Sequence, residues 1–454
     1  MKQSVEQYLQ ENREKHLTEL TELLSIPSIS ALSEHKEDIK TTAEWLETAL
    51  TKIGMENVKA YPTDGNPVVY GEWLKAEGKP TALIYGHYDV QPVDPLHLWE
   101  TPPFEPVIRD GKIYARGASD DKGQVFMHLK AVEALLQTAG TLPVNFKFCF
   151  EGEEEIGSPH LDGFVEAHKE LLAADVIVIS DTSMIEEGKP TICYGVRGLC
   201  GIQINVKGTN SDLHSGLYGG GVQNPIHALT EIISSFHNPD GQIMVDGFYD
   251  RVLPLTNEER ENFRAVGYDE EKTRAELGSK ELYGEKGYSF LERTSVRPTL
   301  DVNGIWGGFQ GEGIKTVIPA EAHAKITCRL VPDQDPDEIV ALLKQHLEKY
   351  KPKGVEISVT PFDKAAPYVT PIDHPYLKAA GDAFSAIYEA PVSYIRLGGS
   401  LPIITTFSQV LQAPIVLMGF ALPTENFHAP NEHFHLQNFD KGLLTLCRYW
   451  NELS

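Results

Sequence analysis

Apolar runs that break off at ionisable residues organise this chain. Ala82 to Tyr85 is uninterrupted hydrophobic sequence, stopped by Gly86 and followed by His87 and Asp89. Val144 to Phe150 alternates, with Val144, Phe146, Phe148 and Phe150 on one face, and runs straight into Glu151, Glu153, Glu154 and Glu155. The run VIVIS at 176–180 ends at Asp181. Short runs of this kind predict buried strands. An ionisable group at the end of each leaves the hydrophobic layer where its desolvation would become expensive. Between the strands the period lengthens to three and four. Ile39, Ala43, Leu46, Leu50 and Ile53 predict a helix stopped by Gly54, and Val125, Phe126, Leu129, Val132, Leu135 and Leu136 predict another. A helix over 4–24 and a closing helix from about Leu436 to Trp450 complete the pattern. Strand, loop, helix, repeated, is the signature of an α/β sheet covered on both faces.

The rhythm changes near Lys189. Extended sequence over 191–207 is broken by Gly195, Gly198 and Gly201; Ala322 to Val331 alternates, Pro336 to Tyr350 is helical, and Val355 to Val359 is a strand. This middle region predicts an antiparallel sheet with helices on one side. The α/β style then resumes with a helix over 375–389, a strand over 392–395, the apolar run APIVLMGF at 413–420 and His428 in a loop. The expected organisation is therefore one domain formed by 1–190 and 391–454, with an α+β domain, 191–390, inserted into it. A chain of 454 residues exceeds what one core usually serves, which agrees with two domains.

Charge and cysteine usage narrow the function classes. A formal charge of −25 argues against nucleic-acid binding. No apolar stretch is long enough to span a bilayer. The polar start MKQSVEQYLQENREK lacks the apolar core of a signal peptide, and the five scattered cysteines form no CxxC pair. A reduced, cytoplasmic location is expected.

His87, Asp120, Glu155, Asp181 and His428 each stand at a strand end or in a loop just after one. In an open α/β sheet, loops at the carboxyl ends of strands meet in space. Mixed imidazole and carboxylate donors without cysteine suit Zn²⁺, Mn²⁺ or Co²⁺ in an open site, not a closed structural one. Asp89, two residues past His87, can accept the other imidazole N–H, and Glu154 is free to act as a general base. Each residue also has a structural reading. His87 can be a plain strand-end histidine, EGEEE a solvated face, Asp120-Asp121-Lys122-Gly123 a turn, and His433 or His435 can compete with His428.

Eight stretches then weigh together: GHYDVQPV, YARGASDDKG, EGEEEIGS, VISD, SDLHSGLYGG, KTVIPAEAHAKITCRLVP, LGGSLPI and HAPNE, spread from 86 to 432. In this order they resemble the M20 metallopeptidase family, and within it the cytosolic non-specific dipeptidase and carnosinase branch. The resemblance implies a mixed-sheet, phosphorylase/hydrolase-like domain that holds two divalent ions, Zn²⁺ or Mn²⁺, and an inserted lid domain that makes a homodimer. It implies that His87 and Asp181 bind one ion, Glu155 and His428 the other, and that Asp120 bridges them. Asp89 would orient His87, the Asp120–Asp121 bond would be cis, and Glu154 would be the base. His214 would reach into the partner's site and polarise the scissile carbonyl; Arg329, Thr316, Gly399 and Ser400 would bind the substrate's backbone and carboxylate. The activity so implied is metal-dependent hydrolysis of dipeptides, with a deacylase of N-acyl or N-succinyl amino acids, or a carboxypeptidase, as the alternatives in the same fold.

Overall fold

The structure is a computed structural model and describes residues 3–399 and 402–454. It separates into two compact units: Met1–Tyr194 with Thr370–Ile395 and Thr406–Ser454, and Gly195–Val369 with Arg396–Thr405. Arg396–Thr405, expected in the first domain, clusters with the second unit. Of the segment Thr370–Ile395, residues 370–390 were expected in the insert, yet the whole segment clusters with the first unit. The reason is packing: the helix Pro375–Tyr388 lies against the closing helix Leu436–Glu452 and buries Leu377, Ala380, Ala383 and Phe384. Periodicity showed that helix but not which core its apolar face would join.

The sheet of the first unit runs in the order Glu56–Tyr61, Val68–Trp73, Asn145–Glu151, Thr81–His87, Val176–Ile179, Ile415–Leu417, Thr191–Val196. The strands Asn145–Glu151, Thr81–His87, Val176–Ile179 and Ile415–Leu417 are successive parallel neighbours. Their carboxyl ends therefore lie on one edge of the sheet. Burial is nearly complete along each, as the apolar runs require of parallel strands covered on both faces. The helix Lys122–Ala139 is buried from Lys122 to Leu135. It lies against Thr81–His87 and carries the helices Val5–Glu11, Arg13–Leu24 and Leu436–Glu452 on its other sides. The expected helix over 4–24 is thus two, parted at Asn12, whose side-chain amide turns back onto the Tyr8 carbonyl. A small sheet missed by the pattern joins Val107–Arg109, Lys112–Tyr114 and His433–His435. Its strands are three residues each, too short to show a period.

The second unit holds a four-stranded antiparallel sheet in the order Thr299–Gly307, Glu321–Leu330, Gly198–Lys207, Glu356–Ala365. Alternation decides its faces. Ala322, Ala324, Ile326, Cys328 and Leu330 point inward, opposite Cys200, Ile202, Ile204 and Val206, and the helices Pro225–Ser234 and Pro336–Tyr350 cover them. Asn224 and Asp335 cap those two helices, each with proline at the first helical position, where the missing N–H costs nothing. The poorly patterned stretch 254–290 forms short helices opened by Thr256, Asp269 and Ser289 caps.

Candidate metal centre

The parallel strands deliver their terminal residues to one place. His87 is the last residue of Thr81–His87 and is fully buried. Asp181 follows Val176–Ile179, and Glu154 and Glu155 stand in a short 3-10 turn after Asn145–Glu151. His428 sits at φ 57 in the loop after Ile415–Leu417. Asp120 precedes the helix Lys122–Ala139, and the Asp120–Asp121 bond is cis.

Asp120 faces two ways. Its Oδ1 lies 3.1 Å from His87 Nε2, which is 3.8 Å from Asp181 Oδ2. Its Oδ2 lies 3.0 Å from His428 Nε2, which is 3.2 Å from Glu155 Oε2. The two triads, His87–Asp120–Asp181 and Asp120–Glu155–His428, each keep one donor atom per residue within 4.8 Å of the others. One shared carboxylate between two imidazole–carboxylate pairs is a donor set that fits a pair of divalent cations.

Electrostatics agree with that fit. Burial pulls the His87 imidazole down, but hydrogen bonds with Asp120 and Asp89 outweigh it and raise it well above its ordinary value. His428 is pushed up to about 10 by its contacts with Asp120 and Glu155. Burial would raise Asp120, yet the two histidines hold it well below the usual carboxylate range. Asp181 is raised far above that range by burial and by repulsion from Asp120, Glu154 and Glu155, against the pull of His87. Glu154 is pushed up to about 7, by burial first and then by Glu155 and Asp120. A polypeptide that gathers these carboxylates in so small a volume must protonate some of them or take up cations. Two divalent cations would remove the repulsion and return the acids to their ionised forms.

The supports around the donors are local backbone contacts. His87 Nδ1 lies 3.0 Å from the Asp89 carbonyl and 3.4 Å from Asp89 Oδ1. The Asp89 carboxylate, fully buried, accepts the backbone N–H groups of Glu154 at 3.2 Å and Glu155 at 3.1 Å. It therefore holds the turn that carries both glutamates. Asp121 Oδ2 accepts the His87 N–H at 3.3 Å.

Other expected residues lie in the second unit. His214 is exposed, and its Nδ1 accepts the Gly216 N–H at 3.0 Å. Thr316 is exposed in the loop before Val317–Ile318, and its carbonyl accepts the Ser215 N–H. Arg329 is half-buried on Glu321–Leu330, close enough to Arg197 that, after burial, its charge helps lower the Arg197 guanidinium to about 10. Gly399 is exposed with open space where a Cβ would stand; Ser400 lies outside the described residues.

Residues 83–452 match Peptidase family M20/M25/M40. The chain belongs to this family. It is 32% identical to a Cys-Gly metallodipeptidase of Schizosaccharomyces pombe, over 100% of this chain and 99% of that one. Identity to the Beta-Ala-His dipeptidase of Homo sapiens is 33%, over 86% of this chain and 78% of that one. The crystal structure of an M20 family metallo-carboxypeptidase from Sulfolobus solfataricus superposes with a TM-score of 0.84 at 35% identity, covering 96% of this chain and 99% of that one. The chain is thus an M20 metallopeptidase related to Cys-Gly and carnosine dipeptidases, with the family's α/β catalytic sheet and separate antiparallel insert.

Sequence reasoning passed over several residues that shape this M20 site. Gln91 donates its amide to Glu155 Oε2 at 2.9 Å. Glu432 and Glu425, both fully buried, bind the loop that carries Asp120. Gln91 and Glu432 stood inside the stretches GHYDVQPV and HAPNE, and that placement was the one signal that pointed to them.

Proposed function

We propose that this chain hydrolyses the peptide bond of dipeptides with a free C-terminal carboxylate, using two divalent cations, Zn²⁺ or Mn²⁺. The observation that carries the reading is Asp120, whose two oxygens face separate imidazole–carboxylate pairs, with Glu154 beside them. His87, Asp120 and Asp181 would hold one cation, and Asp120, Glu155 and His428 the other. Bound there, the cations supply Lewis acidity, which makes water a nucleophile near neutral pH and polarises a carbonyl.

The chain's own residues do the rest. Glu154 takes the proton of the attacking water and delivers it to the departing amine. Asp89 keeps Glu154 and Glu155 in register by gripping their N–H groups. The imidazole of His214 accepts at Nδ1, so its neutral form carries the proton on Nε2 and is a donor suited to a developing oxyanion. Its exposure supports a role in the site of a partner subunit in a homodimer. Arg329, with Arg197 close by, makes a cationic locus for the substrate carboxylate, and Thr316, Gly399 and Ser400 would contact its backbone. Five buried free cysteines, and no helix among the described residues long and apolar enough to cross a membrane, support a cytoplasmic enzyme.

A carboxypeptidase is the second reading, favoured by the 35% identity to the archaeal metallo-carboxypeptidase. Both readings need a free carboxylate and differ in the length of peptide accepted. The test is turnover by purified protein loaded with Mn²⁺ or Zn²⁺ on free dipeptides, their C-terminal amides, longer peptides and N-acyl amino acids. The expected result is cleavage of free dipeptides that is lost on amidation and in Glu154→Ala. Efficient trimming of longer peptides would favour the carboxypeptidase, and turnover of N-acyl amino acids alone would replace peptide hydrolysis with deacylation.

A further inference from the structure

Glu432 lies four residues after His428 in the same loop, and its side chain is fully buried. Its Oε1 accepts the backbone N–H groups of Ser119 at 3.0 Å and of Asp120 at 3.1 Å. Its Oε2 accepts the Gly117 N–H at 3.0 Å and an Arg116 guanidinium N–H at 2.7 Å. Every contact is a donor, so an ionised carboxylate is fully satisfied and no other side chain of that length matches the set. Arg116 is itself buried, and its other arm donates to the Pro92 carbonyl at 3.1 Å. Ser119 is pinned further: its hydroxyl donates to Glu425 Oε2, and its carbonyl accepts the Gln124 amide at 3.0 Å. Charge-assisted contacts to three N–H groups in four residues leave the loop before Asp120 little freedom. The carboxylate of Asp120 must span two imidazoles with one orientation, and that orientation is set by the loop.

We propose that Glu432 is the positioning residue of the dinuclear centre: it clamps residues 116–120 so that Asp120 presents one oxygen to each cation. The loop that supplies His428 thereby also places the shared ligand opposite it. This rests on the reading of Asp120 as a bridge between two cations. Both Glu432 oxygens are taken up by N–H groups of Arg116, Gly117, Ser119 and Asp120, so its loss would be felt through the Asp120 loop, as a change in the geometry and affinity of the pair.

The test compares wild type, Glu432→Gln and Glu432→Asp as full-length proteins. Folding is followed by circular dichroism and thermal unfolding, cation stoichiometry and affinity by calorimetry with Mn²⁺, and pairing of the ions by the exchange-coupled Mn²⁺ resonance spectrum. Glu432→Gln keeps the shape but sets an amide against N–H donors. Glu432→Asp keeps the charge but cannot span Arg116 and Asp120 together. The expected result for both is a folded protein with Mn²⁺ affinity lower by about 10- to 100-fold, the range for groups that orient metal ligands. The coupled spectrum is expected to weaken toward that of isolated ions, and kcat to fall further than KM changes. Two ions bound with wild-type affinity and an unchanged coupled spectrum in either folded variant would overturn the proposal. If Glu432→Gln does not fold, Glu432→Asp alone decides by the same criteria. Fewer than two ions in the wild type would overturn the two-cation reading itself, a separate failure.

Discussion

Asp89→Asn separates two accounts of one buried carboxylate. If Asp89 served only to orient His87, the substitution would cost little, because His87 Nδ1 already has the Asp89 carbonyl at 3.0 Å against 3.4 Å to the carboxylate. The structure shows the carboxylate engaged elsewhere as well, with Oδ1 accepting the Glu154 N–H and Oδ2 the Glu155 N–H. Asparagine keeps one acceptor. The orientation that leaves its oxygen toward Glu154 sets its amide against the Glu155 N–H, so one charge-assisted hydrogen bond is lost at a fully buried side chain. Such a bond is worth about 1.5–3 kcal/mol, and at about 1.4 kcal/mol per factor of ten this is roughly a 10- to 150-fold loss. On the proposed reading the loss would fall on the cation assigned to Glu155 and His428, because Glu155 is then left with its side-chain contacts to Gln91 and His428. The assay is Mn²⁺ titration by calorimetry alongside kcat on a free dipeptide, with thermal unfolding to verify the fold. One of the two binding steps is expected to weaken and kcat to fall by the stated factor. A folded Asp89→Asn with both binding steps and kcat within about threefold of wild type would refute the turn-anchoring role.

Three further outcomes follow from the same contacts. Chelation of the cations should lower the unfolding midpoint, since ions at about 100 times their Kd add about 2.7 kcal/mol per site; an unchanged midpoint in chelator would contradict the carboxylate cluster as a cation site. His16 is buried with both ring nitrogens lacking a partner among the described residues, and burial, then Lys130, lowers it to about 4. The unfolded chain then binds the extra proton between about pH 6.5 and 4, so stability is full above that window and falls by about 3 kcal/mol as pH drops through it. His16→Leu should flatten that part of a denaturant-midpoint profile, and an equally steep fall would refute the assignment. At Gly123, a Cβ would stand 1.9 Å from the Ala118 carbonyl oxygen, a backbone atom in the Asp120 loop. Gly123→Ala should cost about 1–3 kcal/mol in stability and weaken Mn²⁺ binding as the loop shifts; wild-type values for both would show that the loop yields freely.

Much of the centre was legible in the sequence because its residues sit where apolar runs stop. Burial ends at the edge of a sheet, so His87, Glu154, Glu155 and Asp181 were marked by their position relative to Thr81–His87, Asn145–Glu151 and Val176–Ile179. The alternation of Ala322 to Leu330 likewise declared one buried face in the insert. The helix Pro375–Tyr388 was visible by its period, but a period carries no address, and its place beside Leu436–Glu452 came only with packing.

What the chain alone determined, then, is which residues stand at strand ends, and with them the chemistry open to them there. Tertiary structure decided how they combine. The order Asn145–Glu151, Thr81–His87, Val176–Ile179, Ile415–Leu417 brings together residues that no local pattern relates, and it lets Asp120 lie between His87 and His428. The same holds for Glu432, which grips the Asp120 backbone across 312 residues of sequence. Strand ends are local features, set by where hydrophobic side chains give way. Hydrogen bonds between loops depend on sheet order and register, which the whole core selects at once.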